Sequence, residues 1–458
     1  ATRVINICEA EVDYNSKLVF TDFGGQEIYH FSYQLTFKSQ SVPLLVIDIS
    51  EFDRLVTEKG DEEACQDVCM EWLSHLYLSR PNLGRPVVAF THCDDDIMTE
   101  DHRNQRRAQL LDAAERLCTE LIEQERGIDG AAPPLFIDTC FSNITQPLID
   151  PRKIFEFSAS TSTMNIPALK QILIEEGSAL STEIPGSWYK VLSKLMSEKK
   201  KPFISVSDIV KGIFKNKMRY TLQYIHHIGR IMWFNDIDQL KNYIFHRPEV
   251  LSTLIGILYD HWEEKTWETR SQGFSPYTFE KRAIDKREYI SMVEEFKGTG
   301  IIDVALLYNL LDSESDLPAE MGIALLKTFH LICGPIFTEV NKKFIVPYFA
   351  TRSITTQTGY VNTIPLRVDL YLNGLPVPSY VYHLITATFL DMHINPYNKA
   401  KAGVNGAFID EGNGIIRFLL HNTRGKCVSL ITYTTAKRIC DAWKGQIETV
   451  RQLTLELQ

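Results

Sequence analysis

No stretch of this 458-residue sequence stays apolar for the ~20 residues that a bilayer-spanning helix needs. No basic, apolar and small-residue leader opens it either, so neither a transmembrane segment nor a secretory signal is expected. Cysteines number nine but follow no disulfide-framework spacing, which suits a reducing, cytoplasmic compartment. Cys65 and Cys69 are four apart on an expected helix, yet no further Cys or His pair completes a zinc site around them. Basic residues are outnumbered, 48 Lys and Arg against 58 Asp and Glu, and the net charge of −10 argues against nucleic acid as a main partner. A repeat of 20–50 residues and a kinase signature are also missing. What remains is ordinary: 44% hydrophobic and 23% charged residues, in a length that suits two to four domains with proper cores. The chain opens Ala1-Thr2-Arg3, without Met and inside apparent strand sequence, and is expected to be a piece of a longer protein.

Residues 17–30 organise the first third. Leu18 to Phe20 is a short apolar run of buried-strand type, which ends at Asp22, two residues before Gly24-Gly25-Gln26-Glu27. A carboxylate at a strand's end, a glycine whose bare N–H can approach an anion, and a glutamine that can orient water form a set able to sense a terminal phosphate. An ordinary strand-to-turn junction fits the same stretch equally well. Residues 1–12 alternate loosely, and with 17–22 they predict an antiparallel hairpin across the turn Asp13 to Ser16. Ser41 to Ser50 and Arg85 to Phe90 are continuous apolar runs, as strands covered on both faces should be. Helical spacing marks 61–79, 99–126 and 165–178, and Ile154 to Phe157 is a last strand. Strands alternating with helices predict a mainly parallel α/β sheet with its ligand site at the carboxyl ends of the strands.

Three strand ends then carry particular polar residues: Asp22 with Gly25-Gln26, Thr91-His92-Cys93-Asp94, and Ser158-Ala159-Ser160. An Asp at such a rim can accept from both N1–H and the exocyclic amine of guanine, a match that adenine does not offer. A small Ser-Ala turn lets backbone N–H groups reach a base carbonyl. In this order the three segments resemble the third, fourth and fifth motifs of the Ras-like GTPases. Thr-His-x-Asp in the fourth is the form of the Roc (Ras of complex proteins) domain. Thr2-Arg3-Val4-Ile5 is similar to the switch-one segment, with Val4 where the family has Gly. The resemblance implies guanine-nucleotide binding (GTP/GDP) by Asp22, Gly25, Thr91, His92, Asp94, Ser158 and Ala159. It also implies Gln26 as the residue that positions water, and Mg²⁺ held by Thr2 and, through water, by Asp22. The phosphate-cradling Gly-x-x-x-x-Gly-Lys-Ser/Thr is nowhere in the chain and is expected before Thr2, so this polypeptide alone should bind nucleotide poorly.

Ile184-Pro185-Gly186-Ser187-Trp188 breaks the pattern and opens a second domain. A capped helix start at Ser205 to Ile209, a helix over Thr221 to Ile228, Gly229 and a strand over Arg230 to Phe234 predict a winged-helix unit. A similar unit recurs over 286–349, with helices at Tyr289 to Phe296, Leu306 to Leu311 and Ile323 to Cys333 and a strand at Phe344 to Val346. DNA binding is a secondary option for such units, disfavoured by the acidic balance. From Leu366 the chain turns to strands, with a hairpin across Asn422 to Gly425, helices at 380–391 and 434–456, and a flexible loop over Pro396 to Gly406.

The Pro-Gly-Ser-Trp opening, Gly229 to Phe234 and Lys343 to Pro347 resemble the COR (C-terminal of Roc) domain. The reading is therefore a Roco-family tandem. Residues 1–181 form a truncated α/β Ras-like Roc domain without its first strand and P-loop. Residues 182–350 form a helical, winged-helix-like first COR half, and 351–458 an α+β second half rich in strand. The resemblance implies a GTP-hydrolysing switch coupled to homodimerisation through COR, with flanking repeat or kinase domains in the parent. The alternative is a non-catalytic dimerising scaffold with a degenerate nucleotide site.

Overall fold

The computed structural model describes residues 5–11, 17–23, 41–70, 72–73, 76, 86–94, 98–126, 148–157, 166–179, 185–198, 201–210, 215–227, 230–247, 249–259, 284–337, 342–350, 353–354, 363–371, 379–395, 399–403, 405–422 and 427–457. Its first layer is a parallel sheet of β3 (Leu44–Asp48), β4 (Val87–Thr91) and β5 (Ile154–Glu156), in that order. Alternation along β4 serves both faces, as a period of two requires. Val88 and Phe90 meet α1 (Ile49–Lys59), α2 (Asp61–Cys65, prolonged by a π turn over Gln66–Met70) and α3 (Glu100–Arg126), around Phe52, Leu110 and Leu117. Val87 and Ala89 meet Leu169 and Leu173 of α4 (Ile166–Ala179). Helix α1 shortens the strand expected over Ser41 to Ser50. Asp48 accepts from the Ser50 and Glu51 amides and so caps a helix where apolar continuity alone suggested more strand.

The hairpin forms as β1 (Ile5–Glu11) and β2 (Lys17–Phe23), paired from Ile5↔Phe23 to Glu11↔Lys17. It is a two-stranded sheet of its own, not hydrogen-bonded to β3–β4–β5 among the described residues.

Two units of like connectivity follow. The first runs α5 (Gly186–Ser197), β6 (Phe203–Ser205), α6 (Val206–Val210), α7 (Lys215–His227), a bridge at Met232, and β7 (Tyr243–Phe245), which pairs with both β6 and Met232. The second runs α9 (Lys286–Thr299), β8 (Ile301–Asp303), α10 (Val304–Glu314), α11 (Ala319–Thr328), β9 (Cys333–Phe337) and β10 (Lys342–Ile345), sheet order β8–β10–β9. Both run helix, strand, two helices and then a last strand that pairs centrally, flanked by a full strand on each side in the second unit and by one strand and the Met232 bridge in the first. Helix α8 (Glu249–Tyr259) joins the units, and β1 lies against it.

Several element boundaries differ from those that the sequence predicts. Helix α7 starts at Lys215, six residues before the expected Thr221, because Met218 extends the apolar spacing of Leu222 and Ile225 back by a turn. The strand expected over Arg230 to Phe234 reduces to the single bridge at Met232. Helix α11 stops at Thr328, and Cys333 opens a strand.

The small sheet of the first unit has two unlike faces. Ile231, Trp233 and Ile244 turn toward α5, α6 and α7, with Leu195, Ile209 and Leu222. Met232 and Phe245 turn the other way, into a core of α8, α9, α10 and α11 that includes Leu254, Phe296 and Leu311. Trp72 is half-buried and packs on both this core and the one under β3–β4–β5. Its neighbour Leu73 belongs to the latter only.

The last unit is an antiparallel sheet, β11 (Ile364–Tyr371), β15 (Cys427–Thr434), β14 (Ile415–Asn422), β13 (Gly406–Asp410) and β12 (Lys399–Gly403), in that order. Helices α12 (Ser379–His393) and α13 (Ile439–Leu457) cover it, with Ile385, Leu390 and Leu453 against Leu419, Val428 and Leu430. The expected loop over Pro396 to Gly406 is instead largely strand. In β12, Ala400 and Ala402 are buried while Lys399 and Lys401 face out, a short alternation easily lost among small residues. Arg417 is buried, donates from Nε to Glu411 Oε1 at 2.6 Å, and lies so close over Gly445 that a β-carbon there would sit 2.7 Å from its Nη2. No described helix is long and apolar enough to cross a membrane.

Candidate functional site

Parallel strands leave their carboxyl ends at one rim, and the register brings three segments together there. Asp48 lies opposite Thr91, and Phe90 opposite Glu156. The Phe157 amide donates to Phe90 O at 3.0 Å, so β5 delivers the chain to the rim one residue before Ser158.

The turn after β4 is the most determined part of the rim. His92 adopts a left-handed backbone conformation (φ 55°), in which a non-glycine residue is uncommon and which reverses the chain over the end of β3. Its Nδ1 is 3.0 Å from Asp48 Oδ2, and the Ser50 hydroxyl donates to His92 O at 3.5 Å. Thr91 Oγ1 donates to Ile47 O at 3.4 Å and tacks the two strand ends together. Cys93 points inward, where burial raises its thiol pKa to about 11. Asp94 follows at an exposed position.

Arg103, on the first turn of α3, fastens the rest. Its Nη1 donates to Met98 O at 2.6 Å and Cys93 O at 3.3 Å, and its Nε donates to Glu156 Oε2 at 3.0 Å. One guanidinium therefore holds both ends of the segment containing Asp94 against β5. Nothing in the sequence singled out Asp48, Arg103 or Glu156. Asp48 read as strand interior, and an Arg three residues into a charged helix carries no signal without the fold.

Of the candidate residues, Thr91, His92 and Asp94 come together at this rim. Asp22 is placed by backbone only, opposite Asn6 in the β1–β2 ladder and outside the parallel sheet. Thr2, Gly25, Gln26, Ser158 and Ala159 lie outside the described residues. An exposed acceptor-only carboxylate at Asp94 fits a ligand edge that offers two N–H donors. Of the residues expected to hold Mg²⁺, Thr2 lies outside the described residues and Asp22 is placed by backbone only; among the described residues no other group of three or more His, Cys, Asp or Glu is gathered as for a metal ion. What the described part of this rim offers is an exposed carboxylate on a turn fixed by Asp48 and Arg103. No protein-family model matches the chain, and no curated protein matches it. The site therefore rests on its own geometry.

Proposed function

We propose that the chain is the Roc–COR module of a Roco protein, a GTP-binding and GTP-hydrolysing switch whose nucleotide state is coupled to homodimerisation through COR. The observation that carries this reading is the Thr91-His92-Cys93-Asp94 turn, clamped by Asp48 and Arg103 at the carboxyl rim of a parallel sheet, beside the strand that leads to Ser158. In this reading Asp94 takes the N1–H and N2–H edge of guanine, and Ser158-Ala159 faces its carbonyl. Gly25 donates its N–H to the terminal phosphate and Gln26 orients the attacking water. Such transfer depends on positioning and charge stabilisation, not on covalent chemistry by the protein. In this reading the complete activity also needs a phosphate cradle, which these 458 residues do not contain.

Replacing Asp94 by Asn tests the base assignment. An amide keeps one acceptor and gains a donor, so the variant parent should lose guanine nucleotides and gain xanthine nucleotides, which present an oxygen where guanine has the N2 amine. Unchanged GDP affinity, measured with a fluorescent analogue, would remove Asp94 from the site. Gln26→Leu should slow GTP turnover and leave binding in place. A non-catalytic dimerising scaffold is the second reading, favoured by the lack, among the described residues, of strand pairing between the β1–β2 ladder that holds Asp22 and the β3–β4–β5 sheet. GTP turnover by the parent at the same rate with Gln26 or Leu would support it.

A further inference from the structure

The two winged-helix units share a topology and differ in charge and exposure. Residues 185–247 hold twelve Lys and Arg against four Asp and Glu, a net +8 inside a chain of −10. Residues 285–350 hold six against ten, a net −4. The helix that precedes the strand pair is α7 in the first unit and α11 in the second. Helix α11 is engulfed: Met321, Ile323, Leu325 and Leu326 are all buried against α8 and α10. Gly322 lets it approach Leu254 and Leu311 so closely that a β-carbon would meet both at 3.2–3.3 Å.

Helix α7 is the opposite case. Its sheet turns Met232 and Phe245 toward the second unit, which leaves α7 on the far side of its own core. Met218, Leu222 and Ile225 face inward, while Arg219, Tyr220, Gln223 and His227 are exposed, Tyr220 by 67%. Lys215, Arg219, Gln223 and His227 succeed one another at intervals of four, a single stripe along the helix. The stripe combines cations for phosphates with side chains able to bond base edges. Thirteen residues make a rod ~20 Å long and ~10 Å wide, a fit to the ~12 Å width of the B-DNA major groove.

We propose that the first winged-helix unit binds duplex DNA through the exposed face of α7, independently of the nucleotide site. Arg219 and Lys215 neutralise phosphates, and Gln223 is placed toward base edges. The wing between Met232 and β7 carries Asp236, Asp238 and Lys241, the last two paired at 2.7 Å, so it brings no net positive charge to the backbone and leaves the contact to the helix. An anionic membrane is the less fitting partner, because a polar stripe with a single aromatic ring offers no apolar face to insert. Duplex RNA fits less well too, since the A-form major groove is too narrow for a helix.

Fluorescence anisotropy of a labelled mixed-sequence DNA duplex with the 458-residue chain tests this, with a duplex RNA, single-stranded DNA and phosphatidylserine vesicles as further arms. Micromolar binding is expected at low salt, with log Kobs falling against log salt at a slope near −3, as ~3–4 phosphate contacts require. Lys215→Glu with Arg219→Glu should weaken binding at least ~10-fold and flatten the slope by ~2. Lys437→Glu with Arg438→Glu makes the same change of charge at exposed positions before α13 and should leave both within twofold. Circular dichroism on each variant separates lost contacts from lost fold. If the α7 variant does not fold, Gln223→Ala and Tyr220→Ala at the same face replace it, with a weaker but measurable loss expected. Absent DNA binding at low salt, equal losses in both charge variants, or tighter binding to RNA, single strands or vesicles would overturn the proposal.

Discussion

Trp72 ties the α/β layer to the winged-helix pair, and its replacement by Ala should be felt in both. A buried Trp→Ala change costs ~3–5 kcal/mol. Because Trp72 is half-buried, ~2 kcal/mol is the appropriate scale, shared between the two cores that it touches. Leu73 is the internal reference. It is fully buried in the first core only, so Leu73→Ala should cost ~3 kcal/mol there and nothing elsewhere. At ~2–4 °C per kcal/mol for units of this size, Leu73→Ala should lower the α/β transition by ~6–12 °C in differential scanning calorimetry. The same experiment on Trp72→Ala should lower both transitions by ~2–4 °C each. A Trp72→Ala profile with the winged-helix transition unmoved would show that the two layers are energetically separate, against what their shared side chain implies.

Three other outcomes follow from the geometry. Gly406→Ala would force a β-carbon to within 1.8 Å of Leu419 O and should break the β13–β14 pairing. Gly414→Ala meets nothing within 4 Å and should cost only the ~1–2 kcal/mol of its left-handed backbone; urea midpoints of the pair separate clash from strain. Asp48→Ala removes the cap of α1 and the partner of His92, for a loss of ~1–2 kcal/mol by thermal melting of the α/β unit. The last unit should weaken in acid. Burial holds His383 neutral down to about pH 4, and His393 and His421 down to about pH 3. The unfolded chain takes up these protons near pH 6.5, so stability is full above that value and falls as pH drops from 6.5 toward 4. The slope is ~1.4 kcal/mol per pH unit for each histidine. A urea midpoint that is flat from pH 7 to 4.5 would contradict this.

The elements with strong periodicity were legible in the sequence. Val87 to Phe90, Glu100 to Arg126 and the two long strands around Asn422 announce themselves by apolar runs or helical spacing, and the recurrence of helices followed by a strand was visible at both 205–234 and 286–349. Boundaries were set by local chemistry that patterns under-weigh. Asp48 ended a strand by capping a helix, Met218 lengthened α7, and small alanines between lysines hid β12. At the candidate site the turn Thr91 to Asp94 was legible as a motif at a strand end. Arg103 and Glu156 were not, because their partners are 53 residues apart and only the register of β4 with β5 makes them neighbours. The sign of the whole-chain charge also concealed a local one, since an average over 458 residues cannot report a unit of opposite polarity.

Strand β12 closes one side of the large sheet with Lys399 and Lys401 pointing outward. Two identical borders of this kind, brought together to extend the sheet from one molecule into the next, would face cation against cation along their length. Growth of the sheet into an endless ribbon is thereby discouraged at that margin. Those two lysines thus leave the other surfaces of the last unit better placed for pairing than this edge.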